Sequence, residues 1–316
     1  MTQSSHPMAF TSPPFLHRTA RVGPALAQGQ KPRQMAYWDW PAASGGDPGH
    51  VVVCVHGLSR QGRDFDVLAR HLQPHARVVC PDVAGRGHSD WLDNPALYQI
   101  PTYVADMLGL LAELRAQGAH TIDWVGTSMG GLIGMGVSTQ PVACLHRLVL
   151  NDVGPAIEPV ALQRIGTYLG LPLRFDSVQA GAGYLRGISA GFGPHTDAEW
   201  LALSAPMFRE NGGGYMLHYD PRIAEPFKAM NGDAARDAAA QGEAMLWHIY
   251  DHMTLPTLVL RGAVSDLLSP ATAAAMEQRG PKARCVVFDG VGHAPTLVAP
   301  DQVHAVTGFL WGTGGA

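Results

Sequence analysis

Residues 121–131 read Thr-Ile-Asp-Trp-Val-Gly-Thr-Ser-Met-Gly-Gly, and this stretch decides the fold. Its first six residues have the length and apolarity of a buried strand, and a helical stretch opens at residue 128 and runs to 138. A serine set between small residues at such a junction sits on a sharp turn. The turn pushes its Oγ out at the carboxyl edge of a sheet, and the glycines let the backbone pass close by. The helix that follows directs free N–H groups and the positive end of its dipole toward any negative charge that develops there. Ser128 is therefore a candidate nucleophile, where the blander reading makes it a helix cap.

Outward from that stretch the chain alternates short apolar runs with helical ones, as parallel α/β folds do. Strands are predicted over 35–40, 51–55, 77–81, 121–126, 147–151, 257–261 and 284–288, and helices over 65–72, 100–117, 128–138, 271–278 and 301–309. The runs VVVCV, LVLN and TLVLRG are apolar without alternation, which fits strands covered on both faces. Between residues 154 and 245 the strand signal lapses. Helical patterns at 160–169, 198–208 and 234–247 remain, so this interval reads as a helical cap inserted over the sheet. The organisation expected is a poorly ordered arm over 1–30, an α/β core over 31–154 and 246–316, and a helical cap over 155–245.

The chain has 316 residues, with 22 Lys and Arg against 26 Asp and Glu for a formal net charge of −4. A mildly acidic balance gives no electrostatic footprint for nucleic acid or for an anionic membrane. No window approaches the ~18 uninterrupted apolar residues of a spanning helix, and the first 34 residues, broken by proline and polar residues, lack a signal-peptide pattern. Cys54, Cys80, Cys144 and Cys285 are scattered without CxxC pairs, as small apolar filler in a reducing compartment. A cytoplasmic protein is expected.

A hydroxyl is a weak nucleophile near neutral pH and needs an imidazole to take its proton and a carboxylate to hold that imidazole's tautomer. Both are available after strands. Gly290-Val291-Gly292-His293 places His293 in a loop beyond the last strand, as the expected base. Arg261-Gly262-Ala263-Val264-Ser265-Asp266 places Asp266 a few residues past another, as the expected acid. Asp152, directly after 147–151, is the alternative, with a turn at the entry to the cap as its other role. Val55-His56-Gly57 also follows a strand, and a backbone N–H just beyond it faces Ser128 from the side opposite Met129. The two N–H groups would form an oxyanion hole.

These residues together resemble the α/β-hydrolase fold superfamily from about residue 35 to the end. The matching motifs are His56–Gly57, DVAGRGHSD at 82–90, GTSMGG at 126–131, RGAVSD at 261–266 and GVGHAP at 290–295. The resemblance implies a mostly parallel eight-stranded sheet flanked by helices, with a helical cap inserted after the sixth strand. It also implies Ser128 as nucleophile, His293 as base, Asp266 as acid, and the backbone amides of Leu58 and Met129 as oxyanion hole. The serine at 128 departs from the dehalogenases and epoxide hydrolases of this superfamily, which use aspartate. HGLSRQG departs from the HGxGPG of the carbon–carbon bond hydrolases and from the HGGG of lipases. The closer likeness is to small bacterial esterases and enol-lactonases.

The function expected is thus hydrolysis of small-molecule carboxylic esters through an acyl-enzyme on Ser128, with no cofactor and no metal. Two alternatives use the same fold: cleavage of a carbon–carbon or lactone bond by the same triad, and non-catalytic ligand binding. The cap supplies aromatic and sulfur-bearing side chains for an apolar pocket, Met207 and Tyr219 among them. Trp200, Phe208, Tyr215 and His218 are the candidate substrate contacts there, together with Arg60 beside the oxyanion turn.

Overall fold

The computed structural model describes residues 15–23, 32–228 and 233–312. The apolar runs pair into one sheet. Its first six strands in chain order are β1 (Leu16–Val22), β2 (Arg33–Trp40), β3 (Asp47–Val55), β4 (Ala76–Pro81), β5 (Thr121–Thr127) and β6 (Leu145–Asn151). Two three-residue strands, β7 (Phe208–Glu210) and β8 (Tyr215–Leu217), pair separately, and β9 (Thr257–Gly262) and β10 (Arg284–Phe288) complete the main sheet. The order is β1-β2-β4-β3-β5-β6-β9-β10, parallel from β4 to β10, with β2 antiparallel to both its neighbours.

Both faces are covered, as the unalternated runs require. One face packs under Phe65, Leu68 and Leu72, which bracket helix α1 (Asp66–Leu72). The other carries Tyr103, Met107 and Leu110 of α2 (Ile100–Ala116) and Ile133 of α3 (Met129–Ser138). Val51 to Val55 are fully buried, and each valine contributes about 1.5–3 kcal/mol relative to exposure. The carboxyl ends of the parallel strands therefore form one edge, anchored in the core, from which the loops extend.

Between β6 and β9 lie α4 (Pro159–Gly166), α5 (Val178–Ile188), α6 (Asp197–Ser204), the β7–β8 pair, α7 (Glu225–Lys228) and most of α8 (Asp233–His252). After β9 come α9 (Pro270–Gln278) and α10 (Pro300–Trp311), the latter covering the α1 face through Val303, Val306 and Leu310. Among the described residues no helix is long and apolar enough to cross a membrane.

Three features depart from the sequence expectation. Residues 16–22, read as part of an arm, form the edge strand β1, in register with β2 from Leu16↔Asp39 to Val22↔Arg33. Only Ala20 and Val22 of LHRTARV are buried, so backbone pairing and not an apolar face holds it, and no periodic signal marks it. The insertion also contains strand, in β7 and β8, each too short to carry a pattern. Helix α5 has no counterpart among the predicted helices because Gly181, Gly183 and Gly187 depress its propensity.

Candidate active site

β5 ends at Thr127 and α3 begins at Met129, so Ser128 alone makes the bend between them. Its backbone adopts φ 52° and ψ −116°, a left-handed φ that costs a non-glycine residue about 1–3 kcal/mol. The glycines are dictated by crowding. A Cβ on Gly126 would overlap the Gly130 carbonyl, one on Gly130 the Val55 carbonyl oxygen, and one on Gly131 the Val153 side chain. The N–H of Met129, first residue of α3, is among those a helix cannot satisfy internally.

His293 bridges the serine to a carboxylate. Its Nε2 lies 3.0 Å from Ser128 Oγ and its Nδ1 lies 2.7 Å from Asp152 Oδ2. Asp152 is the residue directly after β6 and, like Ser128, has a positive φ (54°). Its carboxylate is fully buried and also accepts the Gly262 N–H at 2.9 Å and the Ser265 hydroxyl at 2.6 Å. An acceptor-only carboxylate facing Nδ1 puts the ring proton there and leaves the Nε2 lone pair on the serine side.

Asp266, the acid expected from sequence, stands elsewhere. Both its oxygens accept from Arg164 of α4, at 2.6 Å from Nε and 2.9 Å from Nη2. That guanidinium holds its carboxyl below the usual range, first through these hydrogen bonds and then through charge. The motif around it does reach the imidazole, but through Gly262 and Ser265. Ser265 Oγ also accepts the N–H groups of Leu267 and Leu268, which turns the chain and sends the next side chain toward the insertion.

His56 and Arg86 shape the opposing loop. His56 Nε2 accepts the Val83 N–H at 2.9 Å, so its Nδ1 carries the proton and donates to the Gly57 carbonyl at 2.7 Å. Burial keeps this ring neutral, with its pKa lowered to about 3. The Gly57 carbonyl shares a trans peptide plane with the Leu58 N–H, which therefore points the opposite way, away from His56. Arg86, fully buried, donates from Nε to the Leu58 carbonyl at 2.8 Å and from Nη1 to Ala84 O and Tyr103 Oη at 2.6 and 2.9 Å. A Cβ built on Gly57 would stand 3.7 Å from Ser128 Cβ, so this loop and the serine turn face each other at close range.

A cleft of about 1030 Å³, counting the part open to solvent, lies over Ser128 and His293 between the sheet edge and the insertion. Gly57 and Leu58 line it, and so do Met207 and Tyr219. Of the five expected substrate contacts only Arg60 lines it. Arg60 is anchored by Asp64 Oδ2 and Oδ1, at 2.8 and 2.7 Å, and by the Leu203 carbonyl at 2.9 Å. The other four pack elsewhere: three within the insertion, and His218 against the core loop between β4 and α2. Trp200 Nε1 donates to Ala182 O at 2.8 Å, and Phe208 packs on Gly181, whose missing Cβ makes room for the ring. The Tyr215 backbone pairs with Phe175, and the His218 ring meets His88 edge-on at 4.8 Å, its pKa lowered to about 4 by burial. The insertion instead turns Arg164, Tyr168, Leu185, Ile188 and Phe192 to the cleft. Arg164 and Tyr168 fall within the helical stretch predicted over 160–169, of which α4 forms Pro159–Gly166, but nothing local singled out either residue.

Residues 52–306 match the model of the Alpha/beta hydrolase family. A 3-hydroxybutyrate-oligomer hydrolase of Cupriavidus necator is 47% identical over 285 residues, covering 88% of this chain and 93% of its own. A 2-(acetamidomethylene)succinate hydrolase of Mesorhizobium japonicum is 27% identical over 83% of this chain and 88% of its own. Among solved structures, an alpha/beta hydrolase from Novosphingobium aromaticivorans superposes with a TM-score of 0.76 at 31% identity, over 95% of this chain and 99% of that one.

Proposed function

We propose that this chain, which belongs to the alpha/beta hydrolase family and is a hydrolase of ester-type bonds, cleaves small-molecule carboxylic esters through an acyl-enzyme on Ser128. The support is the bridge that His293 makes between Ser128 Oγ and the buried Asp152 carboxylate. His293 Nε2 takes the proton as Oγ attacks the acyl carbon, and Asp152 holds the ring and stabilises the imidazolium that forms. The tetrahedral oxyanion sits between the N–H groups of Leu58 and Met129, each worth about 3 kcal/mol in the transition state. His293 then returns its proton to the departing alkoxide, and a water it activates releases the acid. Asp152 fills the role that loop position and the family resemblance assigned to Asp266.

The relative at 47% identity is a 3-hydroxybutyrate-oligomer hydrolase, which favours short linear esters of a hydroxy acid as the substrate class. An apolar stretch of cleft wall from the insertion suits the methyl-bearing carbon chain of such an ester. Replacing Ser128 with alanine tests the mechanism. Turnover of 3-hydroxybutyrate dimer and of short p-nitrophenyl esters should fall by at least about 10⁴-fold with the thermal midpoint unchanged. Activity within tenfold of the parent would remove Ser128 from the chemistry.

A further inference from the structure

The cleft over Ser128 is built from two chemistries. Leu185, Ile188, Phe192 and Leu203 line it from the insertion, and two guanidinium groups, those of Arg60 and Arg164, stand among the polar lining residues. Each arginine has an aspartate of its own. Arg60 uses Nε and Nη2 on Asp64 and on the Leu203 carbonyl, deep in the wall. Arg164 uses Nε and Nη2 on Asp266.

A guanidinium carries five N–H donors along two usable forks. Asp266 occupies the Nε/Nη2 fork of Arg164 and so fixes the plane of the group. N–H groups remain on the side away from Asp266, and these suit the oxygens of a second carboxylate. Tyr168, two residues past the end of α4 and also in the cleft wall, is hydrogen-bonded to the same guanidinium, which with its charge opposes the rise that burial imposes on the phenol, so it shares the donors that Asp266 leaves. The Arg164 side chain is 37% exposed, so it reaches the cleft while packed on one side. Because Asp64 and Asp266 are each already matched to an arginine, this wall offers spare donors and no spare anionic acceptor. Asp266 offsets part of the pull on a second anion, so hydrogen-bond geometry, more than net charge, sets the selectivity.

On the reading that Ser128 is the nucleophile, we propose that Arg164 receives a free carboxylate of the substrate, so that the enzyme takes short esters that carry an ionised acid group. A 3-hydroxybutyrate oligomer has one such group at its acid end. Arg164 is then a specificity-determining residue that touches substrate away from the scissile bond.

The test compares the free-acid dimer of 3-hydroxybutyrate with its methyl ester, which removes the charge at that end and adds a methyl group and a second ester, so cleavage is followed at the internal ester by the monomers released. Arg164→Gln should raise KM for the free acid by about 10- to 100-fold, with kcat changed less than threefold. Its KM for the methyl ester should stay within about threefold. Arg164→Lys, which keeps the charge and loses the fork, should fall between the two. Calorimetry on the Ser128→Ala protein gives a readout that needs no turnover: the free acid should bind at least tenfold tighter than the methyl ester, and Arg164→Gln should remove that difference. Equal losses on both substrates, or an unchanged KM for the free acid, would overturn the carboxylate site. If Arg164→Gln does not fold, the Lys variant and the calorimetric preference decide. Undiminished turnover in Ser128→Ala would instead overturn the nucleophile, and the calorimetric preference would still stand or fall by itself.

Discussion

Asp152→Asn separates the two carboxylates that chain order alone leaves equivalent. The buried Asp152 side chain accepts three hydrogen bonds, from Gly262 N–H, Ser265 Oγ–H and His293 Nδ1–H. An asparagine keeps an oxygen for Gly262, so the fold loses only about 1 kcal/mol. Its NH₂ then faces His293 and donates to Nδ1, which becomes the acceptor, and the ring proton moves to Nε2, where it blocks uptake of the serine proton. The same exchange in a serine-protease triad lowers kcat by about 10⁴-fold, or about 5.4 kcal/mol at 1.36 kcal/mol per decade. Hydrolysis of p-nitrophenyl butyrate, followed by p-nitrophenolate release, should show that loss with the thermal midpoint moved by a few degrees. Asp266→Asn removes the partner of Arg164 and no hydrogen bond to His293, so kcat on this neutral ester should stay within about fivefold. A 10⁴-fold loss in Asp266→Asn beside a mild effect in Asp152→Asn would refute the assignment.

His56→Ala deletes the ring that orients the Gly57–Leu58 peptide, and kcat should fall about 10- to 100-fold as the Leu58 N–H loses its aim. The variant should also lose about 2–4 kcal/mol in urea unfolding at neutral pH, from the cavity and the unpaired Val83 N–H. The folded His56 pKa of about 3 lies below the unfolded 6.5, so the unfolded state binds the extra proton between those values. The stability His56 contributes is therefore present above pH 6.5 and declines as pH falls toward 3, by up to about 1.4 kcal/mol per unit. The stability gap between parent and His56→Ala should narrow on going from about pH 7 to about pH 5, and a constant gap would show that the folded ring takes up the proton freely. Gly130→Ala and Gly183→Ala should move the thermal midpoint in opposite directions. Alanine is the better helix former by about 1 kcal/mol at both, but at 130 it meets the Val55 carbonyl and at 183 nothing lies within 4 Å, so the first should lose more than about 3 kcal/mol and the second gain up to about 1.

The serine turn was legible because its constraints are local. Gly126, Gly130 and Gly131 are each required by an atom within the turn or in the strand or loop beside it, so the pattern carries the bend with it. The imidazole loop was legible for a similar reason, following β10 as a short run of glycines and one histidine. The acid was not, since Asp152 and Asp266 both follow strands and both fall between Ser128 and His293 in the chain. What separates them is sheet order and turn geometry. β6 lies beside β5, so a residue directly past its end stands next to the serine turn, while Ser265 redirects the chain before Asp266. A residue at a positive φ one step past a central strand is common to Ser128 and Asp152, yet an aspartate there also reads as an ordinary turn.

The cleft wall was hidden for a different reason: its members are joined by contacts that no single segment encodes. Arg60 Nη2 donates to the Leu203 carbonyl of α6, and the Gln61 amide donates to the Pro206 carbonyl, so the loop after β3 is tied to the insertion. The Gly292 N–H donates to the Gly191 carbonyl at 2.6 Å, which ties the His293 loop to the same insertion from the other side. A Cβ on Gly292 would crowd Gly191, at 3.2 Å, so the glycine before His293 serves this contact as well as its own turn. The insertion thus does more than roof the cleft. It grips the loop that aims the Leu58 amide and the loop that carries the imidazole, and any shift of its helices moves both donor and base relative to Ser128. Asp266 makes a third tie, pairing with Arg164 of the insertion while lying in the loop whose Ser265 hydroxyl donates to Asp152.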